Sequence, residues 1–164
     1  MSSVDLLSTV SDNKHDDWGI TTMLLSKFQS REPDIVQMAR NLVPPALAFL
    51  RRSQNPDGGW GEGYDSYSQW ERAGIGASTA SQTSWAVMGL LAHLPPNDDC
   101  IQRGIKYLLD NQVEMKEGGK SWVEQSYTGA GFVGSYDLRY DYYRHYFPMM
   151  ALGRYATAIE MLED

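Results

Sequence analysis

The chain has 164 residues, 42% hydrophobic and 21% charged, which is enough apolar chain for one folded domain and excludes a disordered one. Its net charge is −7 and its pI is about 4.9. With no basic run longer than Arg51-Arg52, a nucleic-acid binder built on a basic patch is excluded. The single cysteine, Cys100, excludes an internal disulfide, and no stretch approaches the roughly 20 apolar residues needed to span a bilayer.

In chain order, residues 1–30 begin as a polar tail without the basic start and apolar run of a secretory signal. The stretch "TTMLLSKFQS" then suggests a short helix. Arg31-Glu32-Pro33 reads as a turn into a helix running from Asp34 towards Leu42, because proline suits a first helical turn. Pro44-Pro45 is expected to break that helix, with "ALAFLRRSQ" restarting it. "NPDGGWGEG" is dense turn chemistry. "SQTSWAVMGLLAHL" reads as a helix beginning between Ser78 and Ser81 and stopped by Pro95-Pro96. In "CIQRGIKYLLDNQ", Ile101, Ile105, Leu108 and Leu109 fall at helical spacing. No period-two alternation stands out, so the expected class is all-α.

The chain also repeats itself. Phe49-Leu50 precedes Gln54 and a glycine-rich turn ending at Trp60, while Tyr107-Leu108 precedes Gln112 and a turn ending at Trp122. The aromatic and Gln positions share one offset of 58 residues (107 − 49 and 112 − 54). From Gln to Trp the first copy spans six positions (60 − 54) and the second ten (122 − 112). Such helix–turn units cover their apolar faces by stacking on neighbours. Gln54, Trp60, Gln112 and Trp122 are read as structural: the amides satisfy backbone groups at helix ends and the indoles cover those ends.

The segment "GAGFVGSYDLRYDYYRHYF", residues 129–147, holds five of the ten tyrosines. Taken as a helix capped by Ser135, with Asp137 at its positive end, it places Tyr136, Tyr140, Tyr143 and Phe147 at steps of four, three and four on one face, with Tyr142 and Tyr146 pointing elsewhere. An aromatic stripe at this spacing fits a core. It equally fits a wall that presents ring faces to a cation, each contact being worth about 0.5–2 kcal/mol. Phe132, among glycines just upstream, shares the space. Pro148 interrupts or bends the helix, and "MMALGRYATAIEML" continues it.

Together "QNPDGGWGE", "GASTASQTSWAVMGL", "RGIKYLLDNQ" and "YTGAGFVGSYDLRYDYYRHYFPMMALGRY" resemble the C-terminal part of the squalene–hopene cyclases, class II triterpene cyclases, and the two Gln…Trp turns resemble that family's repeated QW motifs. The resemblance covers Arg31 to Glu160; the first thirty residues match poorly and form a divergent tail. It implies that residues 31–164 are part of an α/α-barrel of helix pairs. It implies also a cavity in which squalene or a related polyprene cyclises through carbocations, an isomerase chemistry that needs no cofactor and no metal. Carried over position by position, Phe132, Tyr136, Leu138, Tyr140 and Tyr143 line that cavity, with Tyr136 standing where the family often has Phe, while Phe147 and Arg144 look structural. A cytoplasmic location with peripheral, monotopic membrane contact is implied as well.

The family starts its reaction by protonating an alkene with an Asp-x-Asp-Asp motif. The two Asp-Asp pairs here, Asp16-Asp17 and Asp98-Asp99, follow Lys14-His15 and Pro96-Asn97, so neither completes the motif. No catalytic acid is therefore expected in this chain. It reads as the C-terminal part of a cyclase that supplies the aromatic wall and associates with a complementary cyclase segment or with itself. A non-catalytic isoprenoid-binding or scaffold protein of the same fold is the alternative. A zinc prenyltransferase subunit would need ligands that His15, His93, Cys100 and His145 do not provide at ligand spacing. A carboxylate-pair glycosidase has only Asp137, Asp141 and Glu124 near the aromatic segment. Glu62 and Tyr67 are expected in a loop bordering the cavity. Gln82 and Trp85 begin a helix, where Gln82 can organise a polar network.

Overall fold

A computed structural model describes residues 33–132 and 136–163. The short helix expected in "TTMLLSKFQS", the tail before it and the Ser135 cap lie outside the described residues. Among the described residues there are four α-helices and two antiparallel hairpins.

Helix α1 runs from Pro33 to Ser53 without a break, although Pro44 and Pro45 lie inside it. The expected interruption does not occur. An internal proline removes the bond to the carbonyl four residues back, at a cost of about 3 kcal/mol. Here those carbonyls belong to Arg40 and Asn41, which are exposed, as are both prolines. Water can therefore serve the freed groups. On the opposite side Val43, Ala46 and Leu50 are buried at steps of three and four, and this packing holds the two halves in line.

Helix α2, Ala80–Leu91, is capped by the Thr79 hydroxyl, which accepts from the Gln82 amide. Ten of its residues are buried, so it is the central element, packed chiefly on α4 and α3 and more lightly on α1. Two of its buried hydroxyls find partners inside: Ser84 donates to the Ala80 carbonyl at 2.6 Å, and Thr83 accepts from the Trp60 amide at 2.9 Å. Helix α3, Asp99–Asp110, begins where the Asp98 carboxylate accepts from the Cys100 amide at 3.0 Å. Its buried face is Cys100, Ile101, Gly104, Ile105 and Leu108. Gly104 is required by a close approach, since a Cβ there would lie 2.6 Å from Val87 Cγ2 and 2.9 Å from Trp60 Cζ3.

The two tryptophans at the repeat interval make the same bond. Trp60 Nε1 donates to the Leu50 carbonyl and Trp122 Nε1 to the Leu108 carbonyl, each at 2.7 Å. Both carbonyls sit in the last turn of a helix, where backbone N–H donors from the helix run out. The glutamines do not repeat. Gln54 donates to the Gly58 carbonyl at 2.8 Å and the Cys100 carbonyl at 2.9 Å, joining the turn to the start of α3. In the second copy it is Asn111, beside Gln112, that donates to the Tyr107 carbonyl at 2.9 Å. The extra residues of that turn form hairpin β1 (Val113–Glu114) and β2 (Lys120–Ser121), closed by Gly118 and Gly119 at positive φ.

The second hairpin corrects the all-α expectation where it matters most. Strand β3 (Gly129–Phe132) pairs with β4 (Tyr136–Arg139), with Phe132 opposite Tyr136 and Ala130 opposite Leu138. Helix α4 starts only at Tyr143 and runs to Glu163. Tyr136, Tyr140, Tyr143 and Phe147 therefore do not share a helix face. Residues 136, 138 and 140 also fit a two-residue period, and a segment this short is ambiguous between the two periods. Pairing with the glycine-rich strand resolves it, by giving the backbone groups of β4 partners outside any helix. Within α4, Pro148 and Ala151 are buried, and Tyr143, Phe147, Leu152 and Tyr155 pack against the core.

Candidate functional site

The start of α4 and the middle of α2 build an aromatic cluster. Tyr140 and Tyr143 stack with centroids 4.9 Å apart and planes 11° apart. Tyr143 meets Phe147 edge-on at 5.2 Å, and the buried indole of Trp85 meets Tyr143 at 5.7 Å and Phe147 at 5.1 Å. These are the preferred geometries for rings whose faces are negative and edges positive. Tyr146, expected to point away, joins the cluster at 4.5 Å from Phe147. Tyr142 does not: it is 76% exposed and lies beside His145.

The expected wall residues are thus only partly brought together. Tyr140 and Tyr143 are in contact. Tyr136 and Leu138 sit two residues apart on β4, so the pleat puts them on one face of the hairpin, and both are about half exposed. Phe132 occupies the position paired with Tyr136, and its side chain lies outside the described residues. Burial, then the neighbouring Tyr146 and Tyr140, raise the pKa of the Tyr143 hydroxyl above its ordinary value. Tyr143 therefore presents a neutral ring across the physiological range.

Arg139 ties the hairpin down. Its Nη2 donates to the Glu124 carbonyl at 3.0 Å, its guanidinium lies 5.2 Å from the Tyr127 ring centroid, and its Nε pairs with Asp141 at 2.8 Å. The Glu124 carboxylate is buried and accepts from the Ser81 amide at 2.6 Å, in the first turn of α2. A negative group is favoured at that positive helix end. Arg144 adds a bond to the Trp122 carbonyl at 3.2 Å, and Ser121 Oγ pairs with His145 Nδ1. The Tyr107 hydroxyl donates to the Ser78 carbonyl at 2.9 Å. Its pKa is pushed up to about 12, by burial first and then by the charges of Asp57 and Glu124.

Beside the cluster lies a cavity of about 90 Å³. Glu62, Tyr67 and Gln82, which the sequence singled out, all line it. Gln82 is the hub of its polar side: Oε1 accepts from the Glu62 amide at 3.1 Å and the Thr79 hydroxyl at 3.0 Å. Its Nε2 donates to the Glu62 carbonyl at 3.3 Å and Thr128 Oγ1 at 3.1 Å. Glu62 Oε2 accepts from the Gly74 amide at 2.6 Å. Sequence reasoning missed Trp85 as a lining residue. Its place in an apolar helix marked it only as packing, and nothing local distinguishes a tryptophan that packs on one side and lines a cavity on the other.

An α2-centred helical assembly carrying a tyrosine-rich wall and a polar-edged cavity matches a known sequence pattern. Residues 18–157 match the model of the squalene-hopene cyclase C-terminal domain, and the chain belongs to that family. It is 45% identical over 115 residues to a squalene–hopene cyclase of Zymomonas mobilis, covering 69% of this chain and 17% of that protein. It is 48% identical over 100 residues to the squalene–hopene cyclase of Alicyclobacillus acidocaldarius, covering 61% of this chain and 15% of that protein. Against the enfumafungin synthase of Hormonema carpetanum it is 37% identical over 145 residues, covering 80% of this chain and 11% of that protein. The chain thus spans less than a fifth of each of these relatives. Among the described residues no helix is long and apolar enough to cross a membrane.

Proposed function

We propose that this chain forms the aromatic wall of a polyprene-cyclising cavity, in which it steers carbocations that an acid elsewhere generates. The observation that carries the reading is the stacked Tyr140–Tyr143 pair, backed by Trp85 and half open at Tyr140. An exposed ring face supported from behind by an edge-on indole can stabilise a passing cation without moving. Each such ring contributes about 0.5–2 kcal/mol. Squalene or a related polyprene is the substrate class that the relatives' names support.

Generating the cation requires a dry, neutral, hydrogen-bonded carboxylic acid. The Glu124 carboxylate accepts from the Ser81 amide and the Glu62 carboxylate from the Gly74 amide, and the sequence holds no Asp-x-Asp-Asp. The acid accordingly comes from a complementary cyclase segment that completes the barrel. Contact with a membrane surface, from which a polyprene would enter, belongs to that assembled form.

The test mixes this chain with a segment carrying Asp-x-Asp-Asp and follows squalene consumption, beside equilibrium binding of squalene and a cationic aza-analogue to the chain. Cyclised product in the mixture, and tighter binding of the analogue than of squalene, are the expected results. Binding without turnover in a well-folded complex would favour the scaffold reading. Absence of both would end the proposal.

A further inference from the structure

Two arginines fasten the turn that carries the stacked tyrosines to the body of the fold. Arg139 Nη2 donates to the Glu124 carbonyl at 3.0 Å, and Arg144 Nη1 donates to the Trp122 carbonyl at 3.2 Å. Both carbonyls lie between β2 and β3, outside either sheet ladder, where a backbone acceptor needs a donor from elsewhere. The anchors are themselves fixed. Trp122 is buried with its indole bonded to the Leu108 carbonyl, and the buried Glu124 carboxylate accepts from the Ser81 amide.

The same two side chains meet again at Asp141. Arg139 Nε pairs with its carboxylate at 2.8 Å, and Arg144 Nε donates to its carbonyl at 3.2 Å. The Arg139–Asp141 pair is exposed on both sides, so it adds little strength of its own. Its effect is one of direction, because it joins the residues on either side of Tyr140. Arg144 stands in the first turn of α4, where a cation opposes the helix dipole. Its place is explained by the bonds it makes back towards residues 122 and 141, not by the helix. The pleat turns Arg139 away from the face carrying Tyr136 and Leu138, and its guanidinium lies 5.2 Å from the Tyr127 ring centroid. Its positive charge is thereby held off the apolar wall.

We infer that Arg139 and Arg144 form a clamp that positions Tyr140 against Tyr143, whose rings stack with centroids 4.9 Å apart. Both act through these rings and are positioning residues, not catalytic ones. Arginine suits the task because its planar fork reaches two acceptors at once, whereas lysine offers a compact point charge. The consequence for ligand choice, a preference for a cation over a hydrocarbon, rests on the polyprene reading above. The positioning itself does not.

The test uses the full chain with ring-labelled tyrosines, the Tyr140 signal being identified by its loss in Tyr140→Phe. Arg139→Lys and Arg144→Lys keep the charge and remove the fork. In both variants the Tyr140 signal should lose the ring-current shift imposed by Tyr143. Binding of a cationic aza-analogue should weaken by about 2- to 30-fold, with squalene binding nearly unchanged. Asp141→Asn keeps the carbonyl for Arg144 and weakens only the pair across Tyr140. It should move the signal in the same direction, and it replaces a lysine variant that does not fold. A Tyr140 signal unmoved in every folded variant overturns the proposal, and one that moves in only one lysine variant overturns the paired clamp. If the signal moves but the parent chain binds neither ligand, or the two affinities change alike, the cation-wall reading fails and the clamp stands.

Discussion

Replacing Gly104 by alanine sets two known effects against each other at one atom. Alanine is better than glycine in a helix interior by about 0.8–1 kcal/mol. At Gly104, however, the new Cβ would fall 2.6 Å from Val87 Cγ2 and 2.9 Å from Trp60 Cζ3. Neither neighbour yields easily, because Val87 is fully buried and the Trp60 indole is held by its 2.7 Å bond to the Leu50 carbonyl. Inserting a methyl group into such packing costs about 1–3 kcal/mol. The net expectation is a loss of about 1 kcal/mol. Gly153→Ala supplies the control, since it lies in α4 with nothing within 4 Å of the added Cβ. It should gain the helical term alone, about 0.8–1 kcal/mol. Urea unfolding of the two variants should move the midpoint in opposite directions with an unchanged slope. Should Gly104→Ala raise the midpoint as far as Gly153→Ala does, the tight α2–α3 approach is wrong.

Glu124→Ala should destabilise the fold by about 2–3 kcal/mol, because it leaves the buried Ser81 amide without its charged acceptor. Glu124→Gln should restore part of that loss in the same urea titration, and a Gln variant no better than Ala would argue against the bond. Tyr107 stays protonated in the folded chain up to a pKa of about 12, against about 10 when unfolded. Its contribution to stability is thus complete below pH 10 and is lost as pH rises towards 12. In a tyrosinate absorbance titration Tyr107→Phe should remove a late-titrating component, and an unchanged curve would contradict the burial assigned to this hydroxyl. Tyr143→Leu should weaken binding of a cationic aza-analogue by about 2- to 30-fold while leaving squalene binding nearly unchanged. Equal losses for both ligands would mean that the ring acts by packing alone.

Where local chemistry is decisive, the sequence was readable. The starts of α2 and α3 were expected between Ser78 and Ser81 and at Cys100, and the structure puts their caps at Thr79 and Asp98, oxygen-bearing residues just ahead of the helices. The shared offset of 58 residues pointed to a repeat, and the tryptophans carry it down to the same indole-to-carbonyl bond. The glutamines diverge because the second turn is long enough to form its own hairpin. Tertiary packing defeated the reading at Pro44-Pro45, where buried Val43, Ala46 and Leu50 keep α1 continuous. It did so again at 136–139, where the partner strand supplies the decisive bonds. Glu62 and Tyr67 were legible from their loop as residues bordering a cavity, and both line the one described; Gln82, read as a helix-start residue able to organise a polar network, makes four hydrogen bonds there. Trp85 was not, since most of the residues that line the cavity with it, Phe49 to Gly74 and Tyr127 to Thr128, are distant in sequence.

The indole bonds also bear on how this architecture tolerates change in length. Each closes a local loop: Trp60 reaches back ten residues to Leu50 and Trp122 fourteen to Leu108. The longer loop places its surplus in the exposed β1–β2 hairpin, whose tip at Gly118 and Gly119 has nothing within 4 Å of a built Cβ. The clasp that fixes a helix end is thus separate from the chain that joins one unit to the next. Insertions at such a tip leave the clasp intact, so a fluorophore or an affinity tag placed between Glu117 and Gly118 would report on the folded unit without entering it.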